Sequence, residues 1–217
     1  EMLNEMPIIQ LVLDRVEADD IIAMITQSPK YRGWQKVIIS SDKDFLQLLD
    51  SETVLYRPIQ KKAWTKKTVI DEYGISPENF VIARAIAGDK SDNLAGIKGA
   101  GLPTIAKRLA FLCEDKMHTL DSVYDHCANT DSKLKFFERI VEGWDTVELN
   151  YKVMNLTPPS ISVQGHQKIN YILDNFEFEL NGTGLKCCSV EHGFGSYDWS
   201  ELMAMLRGIV EKNKQVA

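Results

Sequence analysis

At 217 residues, 44% hydrophobic and 26% charged, the chain is long enough to bury a sizeable core as one large domain or two small ones. It has no apolar run of about 18 residues that would span a membrane, and its first residues, with Glu1 and Glu5, do not read as a secretion signal. A cytoplasmic place is therefore expected. The formal charge of −6 argues against a polyanionic partner, but seven of the 31 acids lie in three tight clusters, and the other 24 face 25 bases.

In chain order, residues 8–13 (IIQLVL) predict a short buried strand. Glu17, Asp19 and Asp20 precede the apolar Ile21, Ile22, Met24 and Ile25, which suits the first turn of a helix, where the dipole favours negative charge. Residues 36–40 (KVIIS) predict a second strand, 45–49 a short helix and 54–56 a third strand stopped by Pro58. The pattern then turns helical over 68–73, 77–87, 103–112, 132–141 and 147–156, with a glycine-bearing loop from Gly88. Pro158-Pro159 breaks the chain, and 200–212 predicts a last helix. Strand–helix alternation in the first sixty residues argues for parallel α/β structure.

Glu17/Asp19/Asp20, Asp42/Asp44 and Asp89/Asp92 form the three acidic clusters. The first two follow apolar strands, and the carboxyl edge of an α/β sheet is where ligands bind. Carboxylates gathered there repel one another unless a cation lies between them, and oxygen ligands without histidine or cysteine favour magnesium or manganese over zinc. Each acid taken singly reads equally well as a helix cap or turn residue. Downstream, Gly99, Gly101 and Thr104 open a helix carrying Lys107 and Arg108, with Lys98 just before it. Glycines admit a phosphate close to the backbone, and basic side chains grip it without reading base sequence. A lone glycine turn is equally an ordinary helix entry.

Taken together, EADD at 17–20, SSDKDF at 40–45 and GDKSDN at 88–93 running into GIKGAG at 96–101 resemble the 5′-nuclease family of phage 5′–3′ exonucleases, flap endonucleases and the 5′-nuclease domains of DNA polymerase I. The resemblance is clear over residues 8–112 and looser over 148–156. It implies a PIN-like α/β fold, with a partial parallel sheet flanked by helices and a helix–three-turn–helix element. The implied organisation is a nuclease core over 1–87, a DNA-binding region over 88–157 and a helical tail over 158–217 packing on the core. Glu17, Asp19 and Asp20 are implied at a first metal site, and Asp42, Asp44, Asp89 and Asp92 at a second. Glu17, Asp19, Asp42, Asp44 and Asp92 would be the catalytic set. The implied cofactors are two Mg2+ or Mn2+ ions, with K+ at the hairpin; Lys98, Gly99, Gly101, Thr104, Lys107 and Arg108 would contact DNA.

The implied activity is hydrolysis of DNA at a 5′ end, flap or primer junction, as in DNA replication. The family pattern also has a strand with a metal-binding aspartate, a second aspartate and a basic arch ahead of EADD. This sequence begins too close to EADD to hold them, which fits a fragment, a processed chain or one half of a split protein; the second reading is a DNA-binding module without catalysis of its own that needs a separate N-terminal chain. A PIN-like ribonuclease ranks third, because a small ribonuclease needs no duplex-gripping hairpin. Ile105 stands where many relatives carry a small residue.

Arg57, Lys61, Lys62, Lys66 and Lys67 crowd Tyr56 and Trp64, which reads either as a DNA-facing patch with an aromatic platform or as a solvated turn anchored by Trp64. Phe176, Phe178, Trp199, Leu202 and Leu206 are expected in a core. Cys113, Cys127, Cys187 and Cys188 lack metal-ligand spacing and suit reduced thiols.

Overall fold

The computed structural model describes residues 1–132 and 134–214, and the chain forms two units. One comprises residues 17–160; the other joins residues 1–16 to the chain from Ile161 onward.

The larger unit opens with helix α1 (Ala18–Gln27), whose N-cap is Glu17 and whose first turn holds Asp19 and Asp20. Strand β1 (Lys36–Ile39) pairs in parallel with β2 (Thr53–Arg57), in the register Lys36 to Thr53 and Ile39 to Tyr56. Parallel pairing brings the carboxyl ends of both strands to the same edge, so the Ser40–Asp44 turn lies beside Arg57. Arg57 Nη2 donates to the Ser41 carbonyl at 2.6 Å. Strand β3 (Lys62–Trp64), read in the sequence only as a basic stretch, returns antiparallel to β2, and Lys61 takes the left-handed φ of +50° in the turn. The sheet is therefore mixed, in the order β1-β2-β3.

The strand expected over 8–13 does not form. Those residues pair with no strand, Val12 is 81% exposed, and they belong to the other unit. Five apolar residues around Gln10 carry no period that separates a strand from a partly buried coil, and here Leu13 is buried while Val12 faces solvent.

Helix α2 (Lys66–Tyr73) starts at a capping box in which Thr65 and Thr68 bond each other's backbone. Helix α3 (Pro77–Ala87) is the centre of this unit: Phe80, Ile82, Ala83, Ala85 and Ile86 are almost wholly buried. It packs against the 3-10 turn Asp44–Leu48 and against α7 (Trp144–Met154), fixing the Asp44 end of one element beside the Gly88 end of another. The Phe80, Ile82 and Ile86 side chains each stabilise the fold by about 1.5–3 kcal/mol on burial. Helix α4 (Leu102–Arg108) stops earlier than the predicted 112, where Leu109 leaves helical geometry and a 3-10 turn over Ala110–Cys113 buries Leu112. Helices α5 (Leu120–Ala128) and α6 (Lys135–Glu142) complete the unit.

Trp64 is 5% exposed and stacks on Tyr73 with centroids 5.8 Å apart. It anchors the hairpin to the core, as the solvated-turn reading expects, and is not an open platform for a base. Above it, Lys62 Nζ lies 4.3 Å from the indole centroid.

The second unit holds α8 (Val163–Asp174), α9 (Gly182–Glu191) and α10 (Ser200–Lys214). Leu185, Met203 and Leu206 form its core, with Met2, Met6, Leu180, Trp199 and Leu202 packed on it. Phe176 and Phe178 are half-buried and meet edge-to-face at 5.0 Å. The four cysteines are free thiols, and burial pushes Cys127 up to about 11. Among the described residues, no helix is long and apolar enough to cross a membrane.

Candidate active site

Asp19, Asp42, Asp44 and Asp89 lie close enough at the carboxyl edge of β1 and β2 for their charges to act on Asp19 or Asp44. Two short turns shape the 40–44 segment: the Asp42 amide donates to Ser40 Oγ at 3.0 Å, and the Asp44 amide donates to Asp42 Oδ1 at 2.9 Å. Asp42 is exposed, while Asp44 heads the 3-10 turn and is half-buried. From α1, Asp19 faces this segment. Burial and then the charges of Asp42, Glu17, Asp44 and Asp20 push its carboxyl above the usual range. Asp20 is partly committed elsewhere, because its Oδ1 accepts the Ser160 amide at 2.6 Å. Glu17 is exposed and makes no side-chain bond as the N-cap.

The loop from Gly88 to Gly101 brings the third cluster. Asp89 and Leu94 pair their backbones in both directions, at 2.9 and 2.7 Å. Asp89 Oδ1 accepts the Ser91 amide at 2.8 Å and the Ser91 hydroxyl at 2.5 Å. Burial alone would raise its carboxyl, but Ser91 and then Arg84 outweigh it and hold the group below the usual range. Asp44 shows the opposite balance. Burial raises it, Arg84 lowers it by charge and hydrogen bond, and Asp42 and Asp89 raise it again, leaving it above the ordinary value. Asp92 is exposed at the tip of the loop.

Arg84, on α3, was not anticipated. Its Nη2 donates to Asp44 Oδ1 at 2.6 Å and to Asp89 Oδ2. An arginine inside the apolar run VIARAIA was the available signal, since a buried charge needs a partner. Asn150 was also missed. It is 2% exposed, and its Nδ2 donates to the Ala85 and Ala95 carbonyls, at 2.9 Å each, clamping the loop to the end of α3. Its signal was a polar residue in the apolar face of Val147, Tyr151 and Met154.

Ser40, Asp42, Arg57, Arg84, Asp89 and Ser91 line a polar recess of about 440 Å³ at this edge. Its possible ligands are all oxygens, which suits a hard divalent cation, with Lys43, Arg57 and Arg84 standing among them. Among the described residues, however, no three potential ligands stand gathered around one point. The chemistry fits, and Arg84 supplies the positive charge that Asp44 and Asp89 share in this structure.

The hairpin residues lie further along. Gly99 takes a left-handed φ of +83°, and Arg139 Nη1 donates to the Lys98 carbonyl at 3.3 Å. The Thr104 and Ile105 amides both donate to the Gly101 carbonyl, at 2.8 and 3.0 Å, so neither is free for a phosphate. Ile105 is wholly buried, which explains a large apolar residue there. Lys98, Gly101, Lys107 and Arg108 are exposed, the last two in the final turn of α4.

Asp19→Asn is expected to raise the melting temperature in EDTA at pH 7. Burial and the neighbouring carboxylates make the folded protein hold the Asp19 proton more tightly than the unfolded chain does, so ionised Asp19 costs stability from the unfolded pKa upward, and in full above the folded one. The gain should shrink as the pH falls and vanish below about pH 3, where the carboxyl is protonated in both states. Melting curves at the two pH values check this, and a variant less stable than wild type at pH 7 contradicts the repulsion.

Residues 1–74 match a family model described as the 5′–3′ exonuclease, N-terminal resolvase-like domain. A 5′–3′ exonuclease of Aquifex aeolicus is 31% identical over 156 residues, which cover 72% of this chain and 50% of that protein. The thermostable DNA polymerase I of Thermus thermophilus is 29% identical over 156 residues, 70% of this chain and 17% of the polymerase. The chain thus spans half the length or less of these curated relatives. In fold, it is similar to a T5 5′-exonuclease with divalent zinc bound, at a TM-score of 0.60 and 20% identity, covering 76% of this chain and 61% of the other. A bacteriophage T5 flap endonuclease in a complex with DNA and metal ions matches at a TM-score of 0.59 and 18% identity, covering 76% and 62%.

Proposed function

The chain belongs to the 5′–3′ exonuclease family, and from that premise we propose that it hydrolyses phosphodiester bonds of DNA near a 5′ end, flap or primer junction. One observation carries the proposal: besides burial, the charges of Asp42 and Asp44 after β1 raise the carboxyl of Asp19 on α1, and those of Asp42 and of Asp89 after α3 raise that of Asp44. Arg84 offsets the charge of Asp44 and Asp89, whereas burial and neighbouring carboxylates leave the Asp19 carboxyl raised, as expected of a site that takes up a cation.

Glu17, Asp19, Asp42, Asp44 and Asp92 are the proposed catalytic set. Two magnesium or manganese ions would be held by these residues together with Asp20 and Asp89. When bound, such ions lower the pKa of a water and offset charge on the departing oxygen. Water adds to phosphorus, the bond to the 3′ oxygen breaks, and the products carry a 5′-phosphate and a 3′-hydroxyl. The protein supplies no covalent nucleophile. Asp44, held in place from α3, orients the set, and Lys98, Lys107 and Arg108 grip the duplex backbone.

Backbone grip of this kind is salt-dependent. Replacing Lys107 and Arg108 by alanine should weaken duplex binding in EDTA equally for unrelated sequences. It should also lower the slope of log K against log salt by about 2, roughly one per phosphate contact. Fluorescence anisotropy at several salt concentrations measures it, and an unchanged slope would remove these residues from the interface.

The reaction itself is tested by offering 5′-flap duplex, blunt duplex and single-stranded RNA of matched length and identifying the new ends. Preferential cutting of the flap with 5′-phosphate ends is expected. Preference for single-stranded RNA would turn the assignment towards a ribonuclease.

A further inference from the structure

We propose that Arg84 is a built-in counter-cation of the carboxylate site, holding Asp44 and Asp89 together without metal and setting how tightly a divalent ion is taken beside them. The inference rests on the nuclease reading of this edge and adds a residue that governs its metal affinity.

Arg84 lies on α3 one turn before its end and is 8% exposed. A single nitrogen, Nη2, donates to both carboxylates, whose side chains are 16% and 14% exposed. Its Nε is buried and has no hydrogen-bond partner. A guanidinium placed only to satisfy its own donors would pair all of them, as its fork allows. Here the two carboxylates dictate the position at the expense of Nε. The result is two negative charges sharing one positive charge in a low-dielectric recess, where removal of a single partner leaves a strong imbalance.

A divalent ion at Asp44 and Asp89 would compete for the oxygens that Nη2 already engages. Arg84 would thereby lower the local affinity while keeping both carboxylates in position for the ion. A purely structural arginine would stabilise the fold without any bearing on metal binding, and the two roles part at that point.

Arg84→Met keeps the aliphatic bulk and removes the charge. Calorimetric titration with Mn2+ should show about tenfold or greater tightening, as expected for removal of a competing charge at contact distance. The variant should melt lower than wild type in EDTA and recover most of that loss in Mn2+. Arg84→Lys keeps the charge with a poorer hold on the pair and should fall between them, which provides a second reading if the methionine variant does not fold. Mn2+ affinity that is unchanged or weaker in both variants, or a melting loss that Mn2+ does not recover, overturns the proposal. The nuclease reading fails differently, through cleavage that survives EDTA or the loss of the Asp44 charge. Metal-dependent, Asp44-dependent cleavage with unaltered Mn2+ affinity in the Arg84 variants sinks this inference alone.

Discussion

Asp44→Asn is expected to reduce metal-dependent DNA cleavage by at least about 10²–10³-fold, the scale on which single electrostatic groups act in active sites, while leaving the fold intact. Asp44 is the most connected of the acids. It heads the 3-10 turn packed on α3, its Oδ1 accepts from Arg84 at 2.6 Å, and it interacts electrostatically with Asp19, Asp42 and Asp89. Asparagine has the same shape and keeps an oxygen for Arg84, which also retains Asp89. What is lost is one full charge at the centre of the set, and with it the attraction for a divalent ion. Near-UV circular dichroism and the melting curve should therefore stay close to wild type while single-turnover cleavage falls. Undiminished cleavage would remove Asp44 from the catalytic set.

Gly96→Ala is expected to have the largest effect on stability. A Cβ at Gly96 would lie 1.8 Å from the Ala87 carbonyl oxygen, 2.2 Å from its carbon and 2.6 Å from the Gly88 amide nitrogen. All three are backbone atoms that cannot rotate aside. The loop would have to lift from the end of α3, losing the Ile97 amide bond to the Ile86 carbonyl at 2.9 Å and the Asn150 clamp on Ala95. Overpacking and a stranded buried amide together cost about 3 kcal/mol or more, a fall in melting temperature of roughly 6–12 °C for a chain of this size. Duplex affinity should fall with it, because Lys98 and Gly99 continue from the same loop. Gly101→Ala is the stability control. Its φ is −70°, and the nearest obstacle to a Cβ is Pro103 Cδ at 3.9 Å, so its melting temperature should stay within about 1 °C of wild type. Equal losses in both variants would contradict this close approach.

The elements that sequence revealed best carry their own local signals. Ser76-Pro77 starts α3, acids mark the first turn of α1, and the runs KVII and TVLYR make the parallel pair. The acidic clusters were visible because three of them occur in one order with a glycine-rich loop. Spatial convergence was less visible, since it depends on α3 packing simultaneously against the 44–48 turn and α7. Arg84 and Asn150 were missed for that reason: each is a polar residue within an apolar pattern, and Asp44, Ala85 and Ala95, which they bond, lie 40 to 65 positions away. The 8–13 run misled in the opposite direction, because five apolar residues around Gln10 fit a strand or a half-covered coil equally well. Helix α5 escaped notice although Thr119 and Ser122 form a capping box at its start. A cap of threonine and serine without the usual acidic partner is a quieter signal than Glu or Gln at that position.

The central claim is that the carboxylates of this chain form a metal-dependent nuclease centre. Its most direct test is single-turnover cleavage of a 5′-labelled flap duplex by the 217-residue chain, in magnesium and in EDTA, with the Asp44 variant run alongside. Cutting that requires magnesium and disappears with the Asp44 charge is the expected result. Tight duplex binding without magnesium-dependent cutting would contradict the claim and leave the chain as a DNA-binding module whose chemistry is supplied by another polypeptide.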